Sequence, residues 1–143
     1  MGTARSVLGE PPGTPRPPPL VRFADKTLRV LTETYDLFQL GRKHLRSGMP
    51  AQATVPLEKA KRREPNSRSI REALGIAYFR IGRWEEAEAE FRALVELAPA
   101  DEFAHYALGR ALVNQGRRKE ATPHIKIARS LRPRASSEGE SLD

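Results

Sequence analysis

The sequence predicts an all-α protein made of stacked helix pairs, and three observations support this prediction. Five sets of identical residues recur with a spacing of 34 along the middle of the chain. Within each 34-residue unit, apolar residues follow the helical period of three to four. Glycine and proline stand where the helices of such a unit would turn and end. A fixed period of this length is the signature of a stacked-repeat architecture. The recurring sets are Leu40, Leu74 and Leu108; Gly41, Gly75 and Gly109; Gly48, Gly82 and Gly116; Ala53, Ala87 and Ala121; and Pro65, Pro99 and Pro133.

The composition is compatible with one small folded domain. The chain has 143 residues, is 38% hydrophobic and 30% charged, and carries a net charge of +7. It contains no cysteine, which excludes disulfides, thiolate-bound metal and thiol catalysis. No apolar run is long enough for a transmembrane helix or a secretory signal. We therefore expect a cytoplasmic protein whose positive charge permits acidic partners.

The middle unit, residues 68–101, shows how each repeat is built. Apolar residues at helical spacing from Ile70 to Ile81 predict a first helix, and Gly82 can take the left-handed conformation that ends it. A second helix is predicted from Trp84 until Ala98-Pro99. Gly75 is small because two antiparallel helices joined by a short turn must approach closely at that point.

The two ends of the chain differ from the repeats. Residues 1–24 include six of the 12 prolines, which predicts a disordered or polyproline-II arm. The run Pro15–Pro19 could also be a ligand for a proline-binding module. The first helix is predicted to begin near Asp25 as N-cap, because Leu28, Leu31, Tyr35 and Phe38 continue its apolar stripe. The acidic tail, residues 134–143, is predicted to be disordered.

These residues resemble the tetratricopeptide repeat (TPR) family. The family pattern of Leu-Gly, an aromatic residue, Ala, a second aromatic residue and Pro is matched in the middle unit by Leu74, Gly75, Tyr78, Ala87, Phe91 and Pro99. Repeats at 34–67, 68–101 and 102–133 therefore make a domain over residues 25–133. The sequence departs from the pattern at repeat position 4, which is usually a large apolar residue and is here Arg71 and His105. The resemblance implies a right-handed α-α superhelix.

The resemblance also implies a binding surface. In this family the first helices of the repeats line a concave face, and aromatic residues and arginine are the types that anchor interfaces. We therefore predict a protein-interaction scaffold, or adaptor, that binds a partner peptide with acidic and apolar side chains. The family's full set of lining positions is Tyr35, Phe38, Gln39, Arg42, Leu45, Arg46, Ser69, Glu72, Ala73, Ile76, Phe79, Arg80, Phe103, Tyr106, Ala107, Arg110, Val113 and Asn114. The predicted partner-binding residues are Tyr35, Phe38, Arg42, Arg46, Ile76, Phe79, Arg80, Phe103, Tyr106, Arg110 and Asn114.

Some family members bind chaperone C-terminal carboxylates through a clamp of lysine, asparagine and arginine. The clamp is absent here, so that specific activity is not expected. The corresponding positions hold Phe38, Arg42, Ala73, Phe103 and Ala107.

Two alternatives to peptide binding stay open at this stage. The three repeats carry charges of +4, −2 and +5, with basic clusters at residues 59–63 and 117–119. Such clusters could bind nucleic acid, although they do not form one continuous stripe. A purely structural role through self-association is the other alternative. The last helix, about Arg118–Arg132, is predicted to keep an uncovered strip of Ile125, Ile127, Ala128 and Leu131 that supports a weak homodimer.

Nothing in the sequence indicates an enzyme. The histidines His44, His105 and His124 show no metal-ligand spacing, so no metal or other cofactor is expected. His105 is predicted to pack in the core with a hydrogen bond. There is no nucleophile motif and no phosphate-binding glycine loop.

Overall fold

The computed structural model describes residues 13 and 19–134, with the side chains described from residue 25 onwards. The contacts divide the chain into two units, Met1–Glu33 and Thr34–Asp143. The predictions for residues 1–12, 14–18 and 135–143 lie outside the described residues. In the described part there are six helices and no strand, which confirms the all-α prediction. The helices are α1 (Pro19–Arg46), α2 (Pro50–Arg63), α3 (Arg68–Arg80), α4 (Trp84–Leu97), α5 (Glu102–Asn114) and α6 (Arg118–Leu131).

The predicted start of α1 at Asp25 is wrong, because the helix already begins at Pro19. Proline is well suited to the first helical position, where its missing N–H group leaves no backbone bond unmade. The first unit therefore contains the beginning of this helix. Its described side chains, from Asp25 to Glu33, are all exposed, and Leu28 and Leu31 are among them.

Within the second unit, each repeat turns at a glycine. Gly48, Gly82 and Gly116 have φ angles of 72°, 79° and 78°, a backbone conformation that residues other than glycine rarely adopt. The residue after each glycine donates its N–H group five residues back, as when Arg83 donates to the carbonyl of Tyr78 at 3.0 Å. This bond satisfies a carbonyl at the end of the first helix. The glycine turns predicted from the 34-residue spacing are confirmed.

A second set of glycines lets the two helices of each repeat touch. A Cβ atom at Gly75 would lie 2.4 Å from Cε1 of Phe91 on α4, and one at Gly41 would lie 2.4 Å from Cγ of Leu57 on α2. The predicted close approach at Gly75 is confirmed. The fully buried leucines Leu57, Leu74, Leu94, Leu108 and Leu112 form the core beside these contacts, together with buried alanines.

The departures at repeat position 4 are explained by a pairing across each helix hairpin. Arg71 Nη1 lies 2.9 Å from Glu90 Oε2, and Lys61 Nζ lies 2.7 Å from Oε1 of the same buried carboxylate. In the next repeat the same two positions hold His105 and His124, whose rings stack with 5.7 Å between centroids. A partnered polar side chain thus replaces the usual apolar residue at position 4.

His105 is buried, as predicted, and its hydrogen bonds fix its tautomer. Its Nε2 lies 2.7 Å from the Pro99 carbonyl, which can only accept, so Nε2 carries the proton. In the neutral ring Nδ1 is then an acceptor, and it faces Nδ1 of His124 at 3.4 Å. Burial lowers the pKa of His124, with further lowering from His105 and Arg92.

The predicted apolar strip on α6 is only half correct. Ala128 is buried and Ile125 is partly buried against Gly109, whereas Ile127 is exposed and Leu131 is half-buried. The reason is that Ala128 and Ile125 lie on the side of α6 that faces α5. Self-association through α6 stays a prediction. A strictly monomeric protein in sedimentation at high micromolar concentration would contradict it.

Candidate functional site

Two adjoining hollows lie along the first helices of the repeats in the second unit. The first has a volume of about 300 Å³ and lies between α1 and α3. The second has a volume of about 250 Å³ and lies between α3 and α5. Ile76 lines both, so the two hollows adjoin at this residue, and we call them together the groove. The first hollow is lined by Phe38, Arg42, Leu45, Arg46, Ser69, Glu72, Ala73 and Ile76. The second is lined by Ile76, Phe79, Arg80, Phe91, Phe103, Tyr106, Ala107 and Arg110.

The groove brings together nine of the eleven residues predicted to bind a partner. Tyr35 and Asn114 line neither hollow, although both are exposed. Among the lining residues, Phe38, Phe79 and Phe103 are half-buried and pack partly on the core. Tyr106 is 44% exposed, so it offers the most open aromatic ring of the groove.

Phe91 lines the second hollow but was not predicted as a site residue. It belongs to α4, a second helix, and its ring is 6.0 Å from that of Phe103 in an edge-to-face arrangement. Gly75 makes room for the Phe91 ring between the helices. Phe91 could have been identified from the sequence, because it is the aromatic residue of the second helix and Gly75 is the small residue that faces it from the first helix.

The arginines of the groove differ from those that face the second helices. Arg71 and Arg117 form ion pairs with Glu90 and Glu88. The groove arginines form no ion pair with any carboxylate that the structure describes. The guanidinium group of Arg42 lies over the ring of Phe38, 5.7 Å from its centroid. Arg80 donates a hydrogen bond to the carbonyl of Leu45 at 3.2 Å. No ion pair within the described residues therefore neutralises these charges, although Arg42 is near enough to Glu72 to lower its pKa. The groove arginines are Arg42, Arg46, Arg80 and Arg110.

One carboxylate lies in the groove, in the first hollow. Burial raises the pKa of Glu72, and Asp101 raises it further, while Arg68 and Arg42 lower it by a smaller amount. The groove therefore carries net positive charge, with its one acid in an environment that disfavours the ionised form.

The two basic clusters are partly neutralised by their neighbours. Lys61 pairs with Glu58 and Glu90, and Arg117 pairs with Glu88 and Glu120. A cation that is already paired gains less from a phosphate than a free one. This geometry does not favour the nucleic-acid alternative.

The described part of the chain gives no sign of a metal site or a membrane span. No three histidine, aspartate or glutamate side chains among the described residues come close enough together to hold a metal ion. None of the helices that the structure describes has the length and the apolar character needed to cross a bilayer.

Comparison with known families agrees with the repeat pattern. One tetratricopeptide repeat profile matches residues 38–102, and a second tetratricopeptide repeat profile matches residues 103–125. The chain belongs to the tetratricopeptide repeat family. The six helices of the described residues form the α-helical solenoid of that family, and this fold is one that supports protein–protein interaction.

Solved tetratricopeptide repeat structures share the fold. The chain is similar to a point mutant of MamA, with 28% identity and a TM-score of 0.67 over 70% of this chain and 73% of that one. It is similar to the first tetratricopeptide repeat domain of Spaghetti (RPAP3) bound to the HSP90 peptide SRMEEVD, with 21% identity and a TM-score of 0.67 over 78% and 88% of the two chains. No curated protein sequence matches the chain.

Other neighbours are longer than this chain. The match covers 56–58% of three further MamA structures. A Thermobaculum terrenum O-GlcNAc transferase mutant matches with 23% identity and a TM-score of 0.66, but the match covers 75% of this chain and only 21% of the transferase.

Proposed function

We propose that this protein is a non-enzymatic adaptor that binds a peptide segment with acidic and apolar side chains in the groove. The observation that carries the proposal is the combination of four arginines without described carboxylate partners and an apolar floor within the same two hollows. Arginine and aromatic residues are the usual anchors of protein interfaces. Two domains of the same fold, those of RPAP3, are solved with a bound peptide.

The chemistry of each hollow suggests which side chains of the peptide it would bind. The second hollow is mostly aromatic, with Ile76, Phe79, Phe91, Phe103 and Tyr106 around it, and would hold a large apolar side chain. Arg80 and Arg110 line the same hollow and would pair with carboxylates next to that side chain. A guanidinium group can bind a carboxylate through two parallel hydrogen bonds, which adds specificity to the charge attraction.

The first hollow would take the acidic flank of the ligand. Arg42 and Arg46 line it together with Phe38 and Leu45, so charge and apolar surface alternate here as well. The carboxylate of Glu72 would repel a ligand carboxylate placed beside it. We therefore expect a ligand whose acids lie nearer to α1 and α5 than to Glu72.

A displayed peptide library tests the proposal with two matched variants. The wild type should select peptides that combine Asp or Glu with Leu, Ile, Val or aromatic residues. The variant Arg42→Glu/Arg80→Glu/Arg110→Glu should lose this selection and keep its helical circular dichroism. The control Arg62→Glu/Arg118→Glu/Arg129→Glu changes the net charge equally at exposed positions outside the groove and should keep the selection.

The same library separates the alternatives. If the control variant loses the selected peptides and the groove variant keeps them, the groove is not the binding surface. Binding of a single-stranded oligonucleotide that competes with the peptides and weakens steeply with salt would favour the nucleic-acid alternative instead.

A further inference from the structure

Residues 135–143 have the composition that the groove would select. They contain three carboxylates, on Glu138, Glu140 and Asp143, one large apolar side chain, Leu142, and no Lys or Arg, within a chain whose net charge is +7. We propose that this acidic segment binds in the second hollow of its own chain and so competes with external peptides. The proposal rests on the proposed peptide-binding function of the groove.

The structure places Arg132, three residues before this segment, close to the residues that line the second hollow. Arg132 Nε lies 2.9 Å from Glu102 Oε1, so the end of α6 is beside the first residue of α5. Phe103, the next residue of α5, lines the second hollow, and Tyr106 follows one turn later. Pro133 stops the helical hydrogen-bond ladder, and Arg132 is extended with φ −64° and ψ 129°, so the chain leaves α6 at this point.

The acidic segment is long enough to follow the groove. From Glu102 to Arg110, α5 rises about 12 Å, since each helical residue adds 1.5 Å. The nine residues from Arg134 to Leu142 are joined by eight steps and span up to about 26 Å when extended. The acids can therefore reach Arg110 while Leu142 enters the aromatic hollow, with length to spare.

The charges are complementary. Arg80 and Arg110 line the second hollow and form no ion pair with a described carboxylate, whereas the acidic segment carries three acids and no cation. Glu72 lines the first hollow but not the second, so it does not oppose an acidic segment that remains beside α5.

Tethering makes even a weak contact effective. A short flexible linker gives an effective concentration in the millimolar range. If the acidic segment has a dissociation constant near ~100 μM for the hollow, it weakens an external peptide for the same site roughly tenfold. A partner peptide would then need a higher affinity or concentration to displace the acidic segment from the second hollow.

A labelled peptide with the sequence of residues 135–143 tests the competition in the full chain. The variant Glu138→Gln/Glu140→Gln/Asp143→Asn should bind this peptide about tenfold more tightly than the wild type. The control Asp36→Asn/Glu85→Gln/Glu96→Gln removes three exposed acids outside both hollows and should bind like the wild type. Adding Arg110→Glu to the first variant should abolish binding.

The outcomes separate this proposal from the function on which it rests. Equal binding by the wild type and the neutralised variant overturns the proposal, and so does failure of the peptide to bind either. In both cases selection of other acidic and apolar peptides by the groove would leave the proposed function standing. Loss of that selection in the library would remove both.

A spin label distinguishes the chain's own segment from that of a second copy. Because the chain has no cysteine, Ser141→Cys provides a single labelling site. The label should broaden the amide signals of Phe103, Tyr106 and Arg110 and leave those of Lys119 and Glu120 unchanged. Broadening that appears only when labelled chains are mixed with isotope-enriched unlabelled chains would overturn the proposal, because the contact would then be between copies.

Discussion

Arginine has two different roles on the first helices of this protein. Arg71 points towards the second helices, where it and Lys61 neutralise the buried carboxylate of Glu90. Arg110 lines the groove, where no described carboxylate pairs with it. The first arrangement holds the repeats together, and the second leaves a charge for a partner. The same residue type is thus part of the fold on one side of the helix and part of the proposed site on the other.

The side of each first helix that faces the second helix of its own repeat should tolerate no added volume. Gly75→Leu should destabilise by more than about 3 kcal/mol, at the upper end for overpacking, because even a Cβ atom would meet the Phe91 ring at 2.4 Å. Thermal unfolding followed by circular dichroism measures the effect. Gly139→Leu, in the acidic segment, should leave Tm unchanged. Equal Tm values for Gly75→Leu and the wild type would show that the helices do not meet as described.

The two arginines should separate stability from binding. Arg71→Met should cost about 2–4 kcal/mol in the free energy of unfolding, since it leaves the buried Glu90 with Lys61 alone. Arg110→Met should change the free energy of unfolding by less than about 0.5 kcal/mol. Chemical denaturation of both variants checks the difference. Similar losses in both would contradict the division of the first helices into a side that packs on the second helices and a side that lines the groove.

The histidine pair should make the last repeat sensitive to acid. The folded pKa of His124 lies below its ordinary value of 6.5, so the unfolded chain binds the proton more readily. Stability is therefore present above pH 6.5 and is lost as pH falls through 6.5 towards the folded pKa. His124→Gln should flatten the dependence of Tm on pH in this window. An unchanged slope would show that the pair at 3.4 Å does not govern it.

Glu72 should give the smallest effect. Its folded pKa is raised by burial, so its charge opposes folding above its ordinary pKa of 4.5, and Glu72→Gln should raise Tm slightly at neutral pH. The gain should vanish as pH falls below 4.5, where the unfolded group is protonated as well. The variant should also bind acidic library peptides more tightly than the wild type. Weaker binding would mean that Glu72 contacts a cation of the ligand.

The repeats could be predicted from the sequence because spacing determines them. Gly48, Gly82 and Gly116 fix the turns, because glycine adopts the left-handed conformation most readily, and Gly41, Gly75 and Gly109 fix the close contacts, because glycine adds no Cβ atom there. The start of α1 was missed because Pro19 is compatible with both a coil and a first helical turn.

The site was predictable in part, because the family resemblance supplied the face on which its residues lie. Every lining residue except Phe91 belongs to the predicted concave positions. The pairings were not predictable. That Arg71 meets Glu90, or that His105 meets His124, depends on which side chains from different helices come within reach, and the sequence alone does not fix this.

The most direct test of the account is a nuclear magnetic resonance titration of the wild type with a peptide selected from the library. The account predicts that the amide shifts concentrate on the groove, at Phe38 and Arg42 of α1, Ile76 of α3 and Tyr106 and Arg110 of α5. Shifts concentrated instead on residues 59–63 of α2 and 117–119 of α6 would contradict it and would place binding on the basic clusters.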